Sequence, residues 1–207
     1  MIVLGLTGGI GMGKSTAAAI FRSFDVPVHD ADAEVHRLFA PGGAAVEEVD
    51  AGFPGCLDAA GGIDRGRLGA AVLGEPDALR RLEAIVHPLV RVAERRFLAV
   101  WRARRCGLVL LEIPLLFETG ADKRLDAVAV VSAPGFVQAQ RVFRRDGMTP
   151  GKLEAVRARQ MPDPEKRRRA DFVIPTGLGR RTTVDAIGRI VRLLRGAAVG
   201  RIEACHA

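Results

Sequence analysis

The 207-residue chain has no tyrosine, one tryptophan and nine phenylalanines, so aromatic side chains make up only 5% of it. That argues against a base-stacking platform, because sequence-tolerant binding of single strands depends on exposed rings. Cysteine is nearly as scarce. Cys56, Cys106 and Cys205 are far apart and odd in number, and they fit neither a disulfide framework nor a zinc site. No apolar run approaches the length of a membrane span, so no membrane role is expected. The N-terminus lacks the basic-then-apolar order of a signal peptide, which makes the cytoplasm the expected location. Lysine is rare too, and arginine supplies nearly all the positive charge behind a net charge of +7. Such a balance suits nucleic acid or a phosphate-rich small substrate, and the shortage of rings favours the substrate. Neither nucleic acid nor an obligate protein partner is expected.

What the chain does have is apolar residues, at 48%, and 24 glycines. Its length suits one domain with a sizeable core. Short apolar runs alternate with helical patterns. Ile2–Leu4, Val26–Val28, Leu108–Leu111, Ala127–Val131 and a segment over 170–175 read as strands. Helices are expected from Lys14 to about Asp25, over Ala33–Phe39, up to about Ala51, from Pro76 to Arg105 and over Val184–Leu194, with residues 52–66 as loop. Pro88 should bend or break the long helix, and the last dozen residues should fray. The alternation predicts an α/β fold, a parallel five-stranded sheet covered by helices.

The densest signal is "LTGGIGMGKST" at residues 6–16. It follows an apolar strand and leads into an alanine-rich helix. Gly8, Gly13, Lys14 and Ser15 complete the pattern G-x-x-x-x-G-K-[ST]. Backbone N–H groups of such a loop and of the next helical turn converge on an anion, and the helix dipole reinforces them. ATP is the expected ligand. Gly11, Met12, Gly13, Lys14, Ser15 and Thr16 are the nucleotide-binding candidates, with Lys14 toward the β- and γ-phosphates, Ser15 on Mg²⁺ and Thr16 near the α-phosphate.

Acids and arginines surround this signal. Asp30 and Asp32 follow the second strand, and in an extended segment their carboxylates would point the same way. Either could accept a proton from an attacking hydroxyl or hold Mg²⁺ through water, and Asp32 could instead cap a helix. Asp32 is the expected base because it lies further from the strand end. Glu112 closes an apolar strand, where a carboxylate can hold Mg²⁺ indirectly or pair with a buried arginine. Arg141 and Arg145, four residues apart, would share one helix face and clamp phosphoryl oxygens; Arg144, Arg157 and Arg159 lie nearby. His87 stands before Pro88, as a substrate contact or as a histidine satisfied inside a helix bend. Lys166–Arg169 reads as a solvated basic run.

Together these residues resemble one family, dephospho-coenzyme A kinase. The likeness covers nearly the whole chain: "GLTGGIGMGKST" at 5–16, "DAD" at 30–32 followed by "PGG", "HP" at 87–88, "IPLLFE" at 113–118 and "RQMPDPEKRRRADFVI" at 159–174. The resemblance implies a three-layer, nucleoside-kinase-like phosphate-loop fold. Its core would comprise residues 1–32, 106–134 and 170–196, with a helical substrate region over about 33–105 and a lid over about 135–169. It also implies transfer of the γ-phosphoryl group of ATP, with Mg²⁺, to the ribose 3′-hydroxyl of dephospho-coenzyme A. In that setting Asp32, Lys14 and Arg141 would be catalytic, Arg145 would bind ATP, Ser15 and Glu112 would hold the metal, and Asp30, Asp32, His87, Leu115 and Phe117 would meet the acceptor. Glu112 stands where the family usually has Asp, and Pro175-Thr176 replaces a common Asp-Asn. Other small-molecule kinases and nucleic-acid-stimulated ATPases are the rival readings, and "PLLFE" argues against both.

Overall fold

The computed structural model describes residues 1–72 and 74–204, with side chains to residue 197. The chain divides into two compact units, residues 1–29 with 101–207, and Asp30–Val100.

In the first unit, β1 (Ile2–Thr7) is buried along its whole length and leads through the glycine loop into α1 (Lys14–Ser23). A turn returns the chain to β2 (Val28–Asp30). This strand starts later than the Val26–Val28 expected, because the Val26 N–H is drawn back to Phe21 O of α1 and Pro27 has none to give. Beyond the second unit come β3 (Leu108–Glu112), a 3₁₀ turn at Ala121–Arg124 and β4 (Ala127–Ser132). Three helices follow, α6 (Gly135–Phe143), α7 (Pro150–Ala158) and α8 (Asp163–Arg169), and then β5 (Phe172–Pro175) and α9 (Arg180–Ala204). The sheet order is β2-β3-β1-β4-β5, with β1 parallel to β3 and β4, and β4 parallel to β5.

Alternate strand residues feed different layers. Leu4, Leu6, Leu110, Ala129 and Val131 pack with Phe21 of α1 and Ile187 of α9, whereas Val128 and Val130 pack with Leu116, Phe117 and Ala121. The register sets Leu6 beside Glu112, at the strand ends where the glycine loop begins. α9 extends past the expected Leu194 to Ala204. The rest of the expected frayed end, with Cys205, lies outside the described residues.

The second unit is helical. It comprises α2 (Ala31–Phe39), α3 (Val46–Gly52), α4 (Arg65–Val72) and most of α5 (Pro76–Ala103). Its core gathers Leu38, Phe39, Val49, Phe53, Leu68 and Val86. The sequence reading has no α4; Asp64 accepts the Gly66 and Arg67 N–H groups at 2.8 and 3.0 Å, which starts that helix like an N-cap. α5 continues past Pro88 as one element rather than breaking there. A long apolar stripe that includes Leu82, Ile85, Val86 and Leu89 packs into this core and offsets the one backbone bond that proline removes.

Candidate active site

The glycine loop is shaped by close packing at its start and a left-handed turn at its end. A Cβ on Gly8 would lie 2.3 Å from Val131 Cγ2 and 2.8 Å from Val131 O, so only glycine lets the loop pass β4. Gly13 precedes α1 with φ +89°, a conformation that favours glycine. No side chain caps α1 and its first turn holds no acid. Its opening N–H groups have no acceptor within the helix, and the dipole leaves them electropositive. An anion meets that need.

Lys14 and Glu112 meet at this point. Nζ donates to Glu112 Oε1 at 3.2 Å, and Glu112 is 3% exposed. The strand register explains the meeting, since it sets the end of β3 beside the end of β1. The expected strand-end carboxylate thus lies beside the lysine of the loop. Ser15 and Thr16 lie exposed on the first turn of α1. Among the described residues no group of three or more His, Cys, Asp or Glu could hold a metal by itself. A magnesium ion held mostly by phosphate oxygens and water, with one hydroxyl and one carboxylate from the protein, fits this sparse donor set.

Four side chains that the sequence reading did not place on the loop hold it from outside. Gln160 Oε1 accepts the Ile10 N–H at 3.1 Å, and Gln138 Nε2 donates to Ile10 O at 2.8 Å. Thr176 Oγ1 donates to Met12 O at 2.6 Å. Arg141 reaches Gly11 O at 3.4 Å, and it also donates to Thr176 O at 2.6 Å and Thr176 Oγ1 at 3.2 Å. Arg141 thus braces the loop against the segment after β5. The Met12 side chain is buried in the core with Sδ 3.2 Å from the Ala133 N–H, which leaves only its backbone for a ligand. One signal for Gln138 was available: a buried polar residue interrupts the apolar face of α6 between Val137 and Val142.

Other expectations change here. Arg141 and Arg145 do not share a helix face: α6 ends at Phe143, Arg144 is its C-cap, and Arg145 is exposed in the turn beyond. Gly147, at φ +71°, lies in that same turn. Lys166 does not belong to a solvated run. It is fully buried, with Nζ 2.8 Å from Glu118 Oε1, because α8 presents it inward while Arg167–Arg169 stay outside. Glu118 also accepts the Met161 N–H at 2.8 Å. Partial burial pushes the Glu118 carboxyl up, and the bonds from Lys166 and Met161 outweigh this and hold it below its usual range. Phe117 is packed in the core and Leu115 is 37% exposed.

Asp30, Asp32 and His87 belong to the second unit. Asp30 ends β2 and caps α2, accepting the Ala33 N–H at 3.0 Å. The capping residue is therefore Asp30, not Asp32. Asp32 lies exposed in the first helical turn, so the two carboxylates do not extend in parallel as a strand would set them. His87 is exposed on α5.

Comparison with known proteins accords with this arrangement. Residues 2–178 match the family model described as CoaE, dephospho-CoA kinase. The dephospho-CoA kinase of Paramagnetospirillum magneticum is 61% identical over 95% of this chain and 92% of its own. That of Mesorhizobium japonicum is 54% identical over 95% and 98%. A crystal structure of a Thermus thermophilus protein superposes with a TM-score of 0.79 at 38% identity, over 93% of this chain and 96% of that one. Dephospho-CoA kinase from Campylobacter jejuni does so at 0.70 and 25%, over 94% and 98%. With its phosphate loop, its Lys14–Glu112 pair and these relatives, the chain belongs to the dephospho-CoA kinase family.

Proposed function

We propose that the protein transfers the γ-phosphoryl group of ATP to the 3′-hydroxyl of dephospho-coenzyme A, releasing ADP and coenzyme A. The observation that carries the reading is Lys14, held 3.2 Å from a buried Glu112 at the mouth of a complete phosphate loop. The ion pair keeps the ammonium at the loop, and incoming phosphates compete with Glu112 for it. The α1 N–H groups bind the β-phosphate side, and Lys14 neutralises charge on the transferring group. Ser15 Oγ and Glu112 would hold Mg²⁺, which when bound screens the phosphate oxygens.

The acceptor oxygen forms a bond to the γ-phosphorus as the bond to the bridging oxygen breaks, and ADP leaves with that electron pair. Asp32 is the carboxylate we assign to take the hydroxyl proton, because the cap contact commits Asp30 to the Ala33 N–H. His87 and Leu115 are assigned to the acceptor side, and Arg145 to ATP. Cytoplasmic location, where ATP is at hand, goes with this reading. Measuring ADP release with and without dephospho-coenzyme A tests it. Release that needs the acceptor and is weak with AMP supports the reading; equal rates with AMP would refute it in favour of a nucleotide kinase.

A further inference from the structure

A single residue of the phosphate loop is gripped on both polar atoms of its backbone. Gln160, just before α8, accepts the Ile10 N–H at 3.1 Å, and Gln138 of α6 donates to Ile10 O at 2.8 Å. The amide of Gln138 has one possible orientation here: Ile10 O can only accept, and the guanidinium of Arg157, which bonds Gln138 Oε1, can only donate. Gln138 is 6% exposed, so neither bond is easily traded for water. Both glutamines line a cavity of about 240 Å³ with Gly9, Met12, Arg157 and Asp163. A Cβ on Gly9 would sit 3.4 Å from Gln160 Oε1 and 3.5 Å from Gln138 Nε2, so both amides lie against the loop itself.

The sequence around Ile10 explains why a grip is needed. Gly8, Gly9 and Gly11 surround the one residue with a side chain, so this stretch has many backbone states to lose on binding an anion. Fixing the N–H and C=O of Ile10 selects one of them before nucleotide arrives, and preorganisation of this kind raises affinity by lowering the ordering cost.

We propose that Gln138 and Gln160, with Arg157 behind Gln138, are positioning residues that preset the phosphate loop for ATP through the backbone of Ile10. The inference rests on the ATP reading above. Gln138→Met and Gln160→Met keep side-chain length and remove the polar groups. Each should raise KM for ATP about five- to tenfold, the worth of one neutral hydrogen bond. KM for dephospho-coenzyme A and kcat should stay within about twofold. Because both act on one residue, the double variant should cost less than the product of the singles. Amide exchange at Ile10 without nucleotide should quicken in Gln160→Met.

Unchanged KM for ATP in both single variants would overturn the inference. So would strictly multiplicative effects, a loss confined to kcat, or both KM values rising together as the melting temperature falls. Should Gln138→Met fail to fold, Gln160→Met alone decides the matter by KM and exchange. A wild type that does not bind ATP would refute the ATP reading and this inference with it, whereas a wild type that binds and variants that bind equally refute the inference alone.

Discussion

Replacing Glu118 by Gln tests the link between the "PLLFE" segment and α8. The carboxylate forms an ion pair with Lys166 Nζ at 2.8 Å and accepts the Met161 N–H at 2.8 Å. Lys166 has no exposed surface, so the substitution leaves a buried ammonium without its counter-charge. Breaking such a pair from one side costs about 3–5 kcal/mol; because Glu118 itself is partly solvated, about 2–3 kcal/mol is the expectation. For a chain of this size that lowers the melting temperature by about 5–10 °C. The sign of the pH dependence follows from the depressed Glu118 carboxyl. Its stabilisation is complete above the ordinary carboxylate value of 4.5 and is lost as pH falls through the lower folded-state value. Thermal melting of wild type and Glu118→Gln should therefore differ fully at pH 7 and converge only in acid, as pH falls below the ordinary carboxylate value and through the depressed one. Lys166→Met should cost less, since it removes the buried charge and leaves a carboxylate that water can reach. Adding it to Glu118→Gln should restore part of the loss. A gap that persists unchanged into acid, or a Glu118→Gln protein as stable as wild type, would refute the electrostatic account.

The remaining expectations concern the reaction. Lys14→Ala should lower turnover at least about 10²-fold, because the variant loses the cation that faces the transferring group, and should also melt somewhat lower, because the buried Glu112 loses that counter-charge; near-normal turnover in a folded variant would remove Lys14 from the mechanism. Arg141→Ala should raise KM for ATP and lower the melting temperature, since it releases Gly11 O and Thr176 together, whereas Arg145→Ala should raise KM for ATP and leave melting near wild type; an unchanged melting temperature in Arg141→Ala would mean that the brace is idle. Asp32→Asn should cost roughly 10²–10⁴-fold in kcat with ATP affinity kept, and Asp30→Asn far less, because Asn caps a helix as well as Asp does. Single-turnover kinetics on both variants would reverse the roles if Asp30→Asn proved the more damaged.

The parts of this protein legible in its sequence are those whose physics is local. A strand, a run of glycines and a Lys-Ser pair at a helix start need only their own order to define a phosphate loop, and Gly8 to Ser15 do so. Strand identities were legible for a similar reason, since a buried parallel strand is an apolar run whatever its neighbours. Boundaries were less so. The helix after β2 starts at Ala31 because an Asp side chain caps it, and α6 stops at Phe143, before the second arginine of the expected pair. The sequence reading starts the first of these helices two residues late, at Ala33, and carries the second on to Arg145.

What could not be read is the set of contacts made across the chain. Gln138 lies 128 residues from the carbonyl it holds, Gln160 lies 150 from its N–H, and Thr176 lies 164 from Met12 O. No periodicity encodes such pairs. Lys166 shows the same limit in charge: inside a run of four basic residues it looked solvated, and only the turn of α8 against Glu118 separates it from its neighbours. The loop's own residues thus specify what it binds, and distant polar side chains specify the shape in which it waits. Within the first set, Lys14 and the opening N–H groups of α1 are assigned to the phosphates directly, so change there should reach the chemistry. The second acts only through the loop's backbone, so its loss should appear as weaker nucleotide binding rather than as lost chemistry. That difference separates Gln138 and Gln160 from Lys14, and measuring KM and kcat separately on the same preparations is what distinguishes them.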